Sequence, residues 1–152
     1  MFRIVDGNLL NAEEINIVHQ VNCQGVMGSG VAKQIKGKYP KAFEEYKKMY
    51  KEYKQLDKPL LGEVQQVKIN ESRTVINLFA QENYGVGVRQ TNYIAFMQGM
   101  LNLIKEVKSD IALPYKIGCY RGGADWDIIE HFLKGLAEDF KYNITVYKYD
   151  GE

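Results

Sequence analysis

Cysteine, histidine and proline are scarce in this sequence, which has two cysteines, two histidines and three prolines in 152 residues. Cys23 and Cys119 cannot form the disulfide framework of a small secreted protein, which favours a reducing compartment. His19 and His131 are scattered and form no metal-ligand spacing with the cysteines. The sequence therefore predicts a cytoplasmic protein without a bound metal or cofactor.

Net charge and long apolar segments are also nearly absent. Twenty basic and nineteen acidic residues leave a formal charge of +1. Binding of nucleic acid by overall phosphate neutralisation is therefore not indicated, although a local basic patch remains open. Arg3 ends the first apolar run before it reaches about seven residues, and no run approaches about eighteen, which predicts no signal peptide and no membrane partner. The length and the 45% hydrophobic content predict one domain over residues 1–152 and leave the oligomeric state open.

Short β-branched segments alternate with segments of helical periodicity. Strands are predicted at residues 2–5, 15–21, 63–69, 74–80, 110–113 and 143–149. Helices are predicted at about residues 30–38, from Pro40 onward, at 91–108 and at 126–140. The order β-β-α-α-β-β-α-β-α-β predicts an α/β fold, a three-layer α/β/α sandwich with a mixed central sheet.

Three glycine-rich loops follow predicted strands, which is where α/β folds bind ligands. They span residues 22–30, 118–123 and 84–89, and the first two precede helices. Main-chain N–H groups at such a position bind anions, so two loops could hold a diphosphate, while ordinary tight turns remain the alternative. Neither a P-loop nor a dinucleotide fingerprint is present, because Val31 and Ala32 replace Lys-Ser/Thr and Lys33 replaces the third glycine.

Few side chains near these loops carry acid–base or nucleophilic chemistry. His19 ends a buried strand and could exchange a proton with a bound group near neutral pH, or be a hydrogen-bonded structural histidine. Cys23 is more typical of a packed residue, since an extended strand would hold it roughly 13 Å from His19. Arg121 could pair with a phosphate or stay solvated. Asp125 fits a helix N-cap best.

Aromatic and basic residues complete the pattern. Tyr84, Tyr120 and Trp126 border the glycine-rich loops and could stack on a base. The aromatic residues of the helix after Pro40 are typical of core or rim positions. The lysines of the same helix predict a solvated face: Lys47, Lys48, Lys51 and Lys54.

The loop sequences resemble those of macrodomains. HQVNCQGVMGSGVA (residues 19–32) with KYPKA (38–42) is similar to the first binding loop of that family, LPYKIGCYRGGADW (113–126) to its second phosphate loop, and DGNL (6–9) to the motif after its first strand. The resemblance spans nearly the whole chain. It is strongest to the branch of ADP-ribose 1″-phosphate phosphatases, of yeast type and with phage and bacterial relatives.

The resemblance implies a site for ADP-ribose or ADP-ribose 1″-phosphate. The first loop would cradle the distal ribose and diphosphate, and the second would close over the phosphates. The implied ligand-binding residues are Gly7, Asn8, Leu9, Gln20, Val21, Asn22, Gly25, Val26, Met27, Gly28, Ser29, Gly30, Val31, Ala32, Gln81, Ile117, Gly118, Cys119, Tyr120, Arg121, Gly122 and Gly123.

The resemblance also implies a catalytic set and a function. His19, which matches a histidine proposed to act in the phosphatase branch, would assist hydrolysis of the terminal phosphate, with Asn22 and Asp125 as further candidates. The alternatives are a reader that binds ADP-ribose without turnover and an ADP-ribosyl hydrolase acting on modified protein or nucleic acid. For that hydrolase branch, the usual lysine and aspartate fall near Gln81 and at Gly122.

Two further positions depart from the family pattern. Asn8 stands where many macrodomains have the aspartate that binds the adenine amino group, so an uncharged amide oxygen would have to accept that hydrogen bond. Gln24 replaces the second asparagine of the hydrolytic signature.

Overall fold

The computed structural model describes residues 1–149, and within them the chain forms six strands and four α-helices around one central sheet. The strands are β1 (Phe2–Asp6), β2 (Asn16–Asn22), β3 (Val64–Asn70), β4 (Arg73–Gln81), β5 (Ile111–Pro114) and β6 (Ile144–Lys148). The helices are α1 (Gly30–Lys38), α2 (Pro40–Gln55), α3 (Tyr93–Glu106) and α4 (Trp126–Asp139), and a 3₁₀ turn covers Leu9–Asn11.

The sheet is mixed and has the strand order β1-β6-β5-β2-β4-β3. Every neighbouring pair is parallel except β3 and β4, which are antiparallel. The predicted α/β sandwich and its element order are confirmed. Most predicted bounds differ from the observed ones by one or two residues.

The central strands are buried on both faces, as their near-continuous apolar sequence predicts. Val18 and Ile76 pack with the residues of α3 and α4 on one side of the sheet. Ile17 and Val75 pack on the other side with Ile35 of α1. The helices therefore form two outer layers, and the sheet lies between them.

Helix α3 is shorter than predicted at both ends. Its N-cap is Asn92, whose side-chain oxygen accepts a hydrogen bond from the N–H of Ala95 at 3.0 Å. Thr91 lies outside the helix because it pairs with Gln81 as an isolated β-bridge. At the other end, Val107 has an extended backbone and stops the helix. Within residues 1–149, no helix is both long and apolar enough to span a bilayer.

Parallel pairing brings the carboxyl ends of five strands to one edge of the sheet. The loops after β2, β4 and β5, the turn after β1 and the residue after β6 all lie at this edge. Two of the predicted glycine-rich loops follow β2 and β5, which are neighbours in the sheet, and the third follows β4. The fold therefore brings together loops that are distant in the sequence.

Candidate functional site

A cavity opens at this edge, between the first loop (residues 23–29), the second loop (115–125) and the end of β6. Most residues that the sequence predicts for the site, whether catalytic or ligand-binding, line it: Asn8, Leu9, His19, Gln20, Val21, Asn22, Val26, Gly28, Ser29, Gly30, Val31, Ala32, Gln81, Ile117, Gly118, Tyr120, Arg121 and Gly122. The other predicted residues lie outside the lining: Gly7, Gly25, Met27, Cys119, Gly123 and Asp125.

The first loop is held from below by helix α2. The hydroxyl of Tyr46 donates to Asn22, with its oxygen 2.7 Å from Oδ1 and 2.9 Å from the main-chain oxygen, and accepts from the N–H of Val26 at 3.0 Å. Asn22 in turn donates its Nδ2 to the Val26 carbonyl at 2.8 Å and accepts from the N–H of Gln24 at 3.0 Å. The amide of Asn22 therefore shapes the loop, and its contact with a distal ribose stays a prediction.

Gly25 is required by the shape of the same loop. Its φ is +77°, and a Cβ at this position would lie 2.9 Å from the ring of Tyr50. Gly25 does not line the cavity, but it allows the backbone of the first loop to take the shape that forms the cavity wall. The glycine spacing therefore identifies a residue that supports the site and does not face the ligand.

The N-terminus of α1 faces the cavity with its N–H groups uncapped. The N-cap Ser29 makes no side-chain hydrogen bond to the helix, and Gly30 follows with a φ of +59°. Gly28, Ser29 and Gly30 all line the cavity. First-turn N–H groups with the helix dipole behind them suit an anion, and the binding of a diphosphate there stays a prediction.

The second loop is fixed by a buried threonine. The hydroxyl of Thr91 accepts a hydrogen bond from Nε2 of Gln20 at 2.8 Å and donates to the Gly118 carbonyl at 2.7 Å. The carbonyl of Gly122 accepts from the N–H groups of Gln90 and Thr91, each at 2.9 Å. A Cβ on Gly122 would lie 2.3 Å from the Gly118 oxygen, so only glycine fits there. The segment that follows β4 therefore sets the position of the second loop.

His19 lies in the wall of the cavity and is 1% exposed. Its Nε2 is 2.6 Å from Oδ1 of Asn77. The Asn77 amide is oriented by its Nδ2, which donates to Oε1 of Gln65 at 3.0 Å and to the Ala42 carbonyl at 3.3 Å. Asn77 therefore presents an acceptor, and this hydrogen-bond network assigns the imidazole proton to Nε2.

Burial also determines the charge of this imidazole. It lowers the pKa of His19 to about 4, and the hydrogen bond to Asn77 opposes that shift only in part. The ring is therefore neutral near pH 7, and its Nδ1 carries a lone pair with no hydrogen-bond partner among residues 1–149. His19 can accept a hydrogen bond, but it is a weaker base than the sequence predicts.

The remaining candidates have structural roles. Oδ1 of Asp125 accepts from the N–H of Asp127 at 2.9 Å, as an N-cap of α4 does, and its catalytic role stays a prediction. Burial and the neighbouring Glu82 raise the pKa of the Cys23 thiol to about 12, and burial raises that of Cys119 to about 11. Neither thiol is an activated nucleophile. Within residues 1–149, no cluster of three or more His, Cys, Asp or Glu side chains is arranged to hold a metal ion.

Nine lining residues are not among the predicted ligand-binding residues: Leu10, Gln34, Gly85, Pro114, Tyr115, Lys116, Tyr147, Lys148 and Tyr149. Four of them lie in segments that the sequence does single out, namely Gly85 in the third glycine-rich loop and residues 114–116 in the segment similar to the second phosphate loop. The end of β6 brings Tyr147, Lys148 and Tyr149 to this edge. Tyr147 pairs with Pro114 of β5, and the carbonyl of Lys148 accepts a hydrogen bond from the N–H of Gly7 after β1. The strand prediction for 143–149 is the signal that could have found them. Tyr84 and Tyr120 line the mouth and are 59% and 69% exposed, as bases would require for stacking.

The chain is thus an α/β domain in which two glycine-rich loops and a helix N-terminus surround one cleft, an arrangement that suits an anionic ligand. The sequence model of the family described as "Macro domain" matches residues 18–133. The chain therefore belongs to the macrodomain family.

Two differently named enzymes are among the similar proteins. The "DNA ADP-ribosyl glycohydrolase" of Mycobacterium tuberculosis is 30% identical over 133 residues, which are 84% of this chain and 36% of that protein. The structure of the macrodomain of Mycobacterium tuberculosis DarG is 26% identical, covers 97% of both chains and has a TM-score of 0.82. The "ADP-ribose 1''-phosphate phosphatase" of Neosartorya fischeri is 43% identical over 44 residues, or 28% of this chain and 22% of that protein.

These similarities confirm the family, and they support the predicted phosphatase branch less strongly than the glycohydrolase branch. Similarity to the phosphatase covers a short segment, whereas similarity to the glycohydrolase covers most of the chain. The chain spans about a third of the glycohydrolase, at 36% of its length.

Proposed function

We propose that this protein binds the ADP-ribose group in the cavity between the two glycine-rich loops. The uncapped N-terminus of α1 and the main-chain groups of residues 118–122 suit a diphosphate held from both sides. The aromatic and polar residues at the end of β6 suit the nucleoside. The names of the two enzymes, both of which refer to ADP-ribose, support the same ligand class.

The reaction that the site supports best is hydrolysis of the terminal phosphate of ADP-ribose 1″-phosphate. One observation carries it: the His19 imidazole lies in the cavity wall, neutral, with Nδ1 unprotonated. Nδ1 is buried, so the bound substrate would have to bring a water to it; Nδ1 would then orient that water and accept its proton as the water oxygen bonds to phosphorus. The bond from phosphorus to the sugar oxygen then breaks, and the proton passes from the imidazolium to that oxygen. The products are inorganic phosphate and ADP-ribose, and no metal is needed for the balance.

Removal of ADP-ribose from DNA is the second candidate. It is favoured by the extent of similarity to the mycobacterial glycohydrolase. By the resemblance, the lysine and aspartate implied for such a mechanism would fall near Gln81 and at Gly122, so this chain does not match that pattern. Gly122 is packed too tightly to accept an aspartate, since its Cβ would already overlap the Gly118 carbonyl. This second reaction would need another group to supply the acid–base chemistry.

A three-substrate comparison tests the proposal. The purified protein is incubated with ADP-ribose 1″-phosphate, with an ADP-ribosylated DNA oligonucleotide and with an ADP-ribosylated protein, and released phosphate and ADP-ribose are measured. We expect phosphate release from the first substrate, with a loss of about 10²-fold or more in His19→Gln. The matched control is His131→Gln, which removes an exposed histidine of α4.

Each other outcome identifies a different function. Phosphate release that persists in His19→Gln would contradict the mechanism. Consumption of the DNA substrate alone would select the glycohydrolase. Calorimetric binding of ADP-ribose without any turnover would identify a reader, and no binding would overturn the proposal.

A further inference from the structure

Charge is distributed unevenly along this nearly neutral chain. Residues 33–58, which form most of α1, all of α2 and the turn after it, contain nine lysines and four carboxylates. This segment therefore carries a formal charge of +5 in a chain whose total is +1, so the remaining residues carry −4. Although the net charge of the whole chain is close to zero, α1 and α2 together form a strongly basic outer surface.

The basic residues of this face alternate with aromatic rings in one row. Phe43, Lys47, Tyr50 and Lys54 follow one another at intervals of four, three and four residues, which places them on one side of α2. The Lys47 ammonium lies 5.7 Å from the Phe43 ring centre, and that of Lys54 lies 5.7 Å from the Tyr50 ring centre. Lys36 of α1 extends the row, with its ammonium 4.1 Å above the Phe43 ring. We call these five residues the α2 stripe.

The α2 stripe carries no carboxylate and is accessible. Its three lysines are exposed, and its two rings are partly exposed. The acidic residues of α2 are Glu44, Glu45 and Glu52, none of which falls at a stripe position, and Glu45 pairs with Lys48 instead at 3.8 Å. The stripe from Phe43 to Lys54 is roughly 16 Å long at the rise of an α-helix.

The stripe packs against the first loop behind the cavity wall. The Tyr50 ring packs beneath Gly25, where a Cβ would lie 2.9 Å from a ring carbon. Gly25 belongs to the first loop, which forms the wall of the cavity through Val26 and Gly28. A chain bound along the stripe would therefore pass close to the outer side of the first loop.

We propose that the α2 stripe binds single-stranded nucleic acid. Lysine ammonium groups at regular intervals match backbone phosphates, and partly exposed rings between them provide surfaces on which bases stack. An acidic peptide or an anionic membrane would use the lysines but would not need rings in register with them. The proposal is independent of the ligand in the cavity, because it concerns a strand that carries no ADP-ribose.

Fluorescence anisotropy with a labelled single-stranded DNA 12-mer, titrated at several salt concentrations, tests this surface. Replacement of two phosphate-binding lysines in Lys47→Gln/Lys54→Gln should weaken binding about tenfold or more and lower the slope of log K against log salt by about 1.4. Phe43→Leu should weaken binding about fivefold or more with the slope unchanged, because it removes stacking and no charge. The matched control, Lys105→Gln/Lys108→Gln, removes two exposed lysines at the end of α3.

Further measurements distinguish nucleic-acid binding from binding of an acidic peptide or a membrane, and distinguish the stripe from the ADP-ribose cavity. A poly-glutamate peptide and phosphatidylserine vesicles are titrated in parallel, and equal affinity for either would overturn the assignment to nucleic acid. The proposal would also be overturned if the control lost as much affinity for DNA as the stripe variant, or if the unaltered protein did not bind DNA at all. Calorimetry with ADP-ribose should give the same affinity for the stripe variants and the unaltered protein. Loss of DNA binding through the stripe can therefore be distinguished from loss of ADP-ribose binding in the cavity.

Discussion

Asn77 lies directly beside His19 on the neighbouring strand, with its Oδ1 2.6 Å from Nε2 of the imidazole. Fifty-eight residues separate the two in sequence, and both side chains are buried. The partner of the candidate catalytic residue is thus a neutral acceptor rather than a carboxylate. This pairing fixes which nitrogen is protonated without giving the ring a charge.

Replacing Asn77 by aspartate should change the charge of His19. A carboxylate at this position favours the imidazolium, so in Asn77→Asp the pKa of His19 should rise above its value of about 4. NMR titration of the imidazole Cε1–H measures it. If Nδ1 acts as the base, phosphate release at pH 7 should increase while the pKa stays below 7, because a stronger base is then still unprotonated, and should fall once the pKa exceeds 7. Asn16→Asp, at the opposite end of β2, should leave the His19 titration unaltered.

The buried His19 should make the protein less stable in mild acid. Its pKa is about 4 in the folded state and near 6.5 in the unfolded chain, so the unfolded state binds more protons between these values. Stability is then complete above about pH 6.5 and decreases as the pH falls towards 4. Between pH 6.5 and 5 the loss should be roughly 2 kcal/mol. Urea unfolding at each pH measures it. His19→Gln should abolish most of this slope, whereas His131→Gln should retain it.

The fold could be predicted from the sequence because its elements are locally marked. The apolar runs of β2 and β4 show burial on both faces, and Pro40 and Asp125 occupy helix starts. Glycine spacing indicated both binding loops, because the positions that only glycine can fill, such as Gly25 and Gly122, are properties of the backbone.

The residues that hold the site in place, Asn77 and Tyr46, could not be predicted from local sequence patterns. Nothing local to Asn77 or Tyr46 shows which group it contacts, because each partner is contributed by another element. The pairing of Asn77 with His19 depends on the register between β2 and β4. The pKa of His19 depends on its burial in the folded chain, which the sequence does not show, and the sequence alone therefore predicts a histidine active near neutral pH.

Removing the hydroxyl of Tyr46 should loosen the first loop. Tyr46→Phe leaves the Asn22 oxygens and the N–H of Val26 without this partner, which should cost about 1–3 kcal/mol of stability. Because Val26 and Asn22 line the cavity, affinity for ADP-ribose should fall about tenfold, as calorimetry can measure. Tyr142→Phe is the matched control, since its hydroxyl is bonded to the carbonyls of Val107 and Ser109, neither of which lines the cavity. It should lose stability and keep its affinity, and an equal loss of affinity in both variants would refute this role of Tyr46.

Gly25→Ala should damage the same loop through its backbone. A φ of +77° costs a residue with a side chain about 1–2 kcal/mol, and the added methyl would lie 2.9 Å from the Tyr50 ring. The loop must therefore shift, which displaces Val26 and the uncapped start of α1 from the positions that suit a diphosphate. We expect a lower thermal midpoint and a loss of ADP-ribose affinity of tenfold or more at about 1.4 kcal/mol per decade. Gly37→Ala provides the comparison, because it lies within α1 with no atom within 4 Å of its added Cβ. That variant should be up to about 1 kcal/mol more stable and bind normally. If Gly25→Ala binds ADP-ribose as well as Gly37→Ala does, the first loop does not form the diphosphate site.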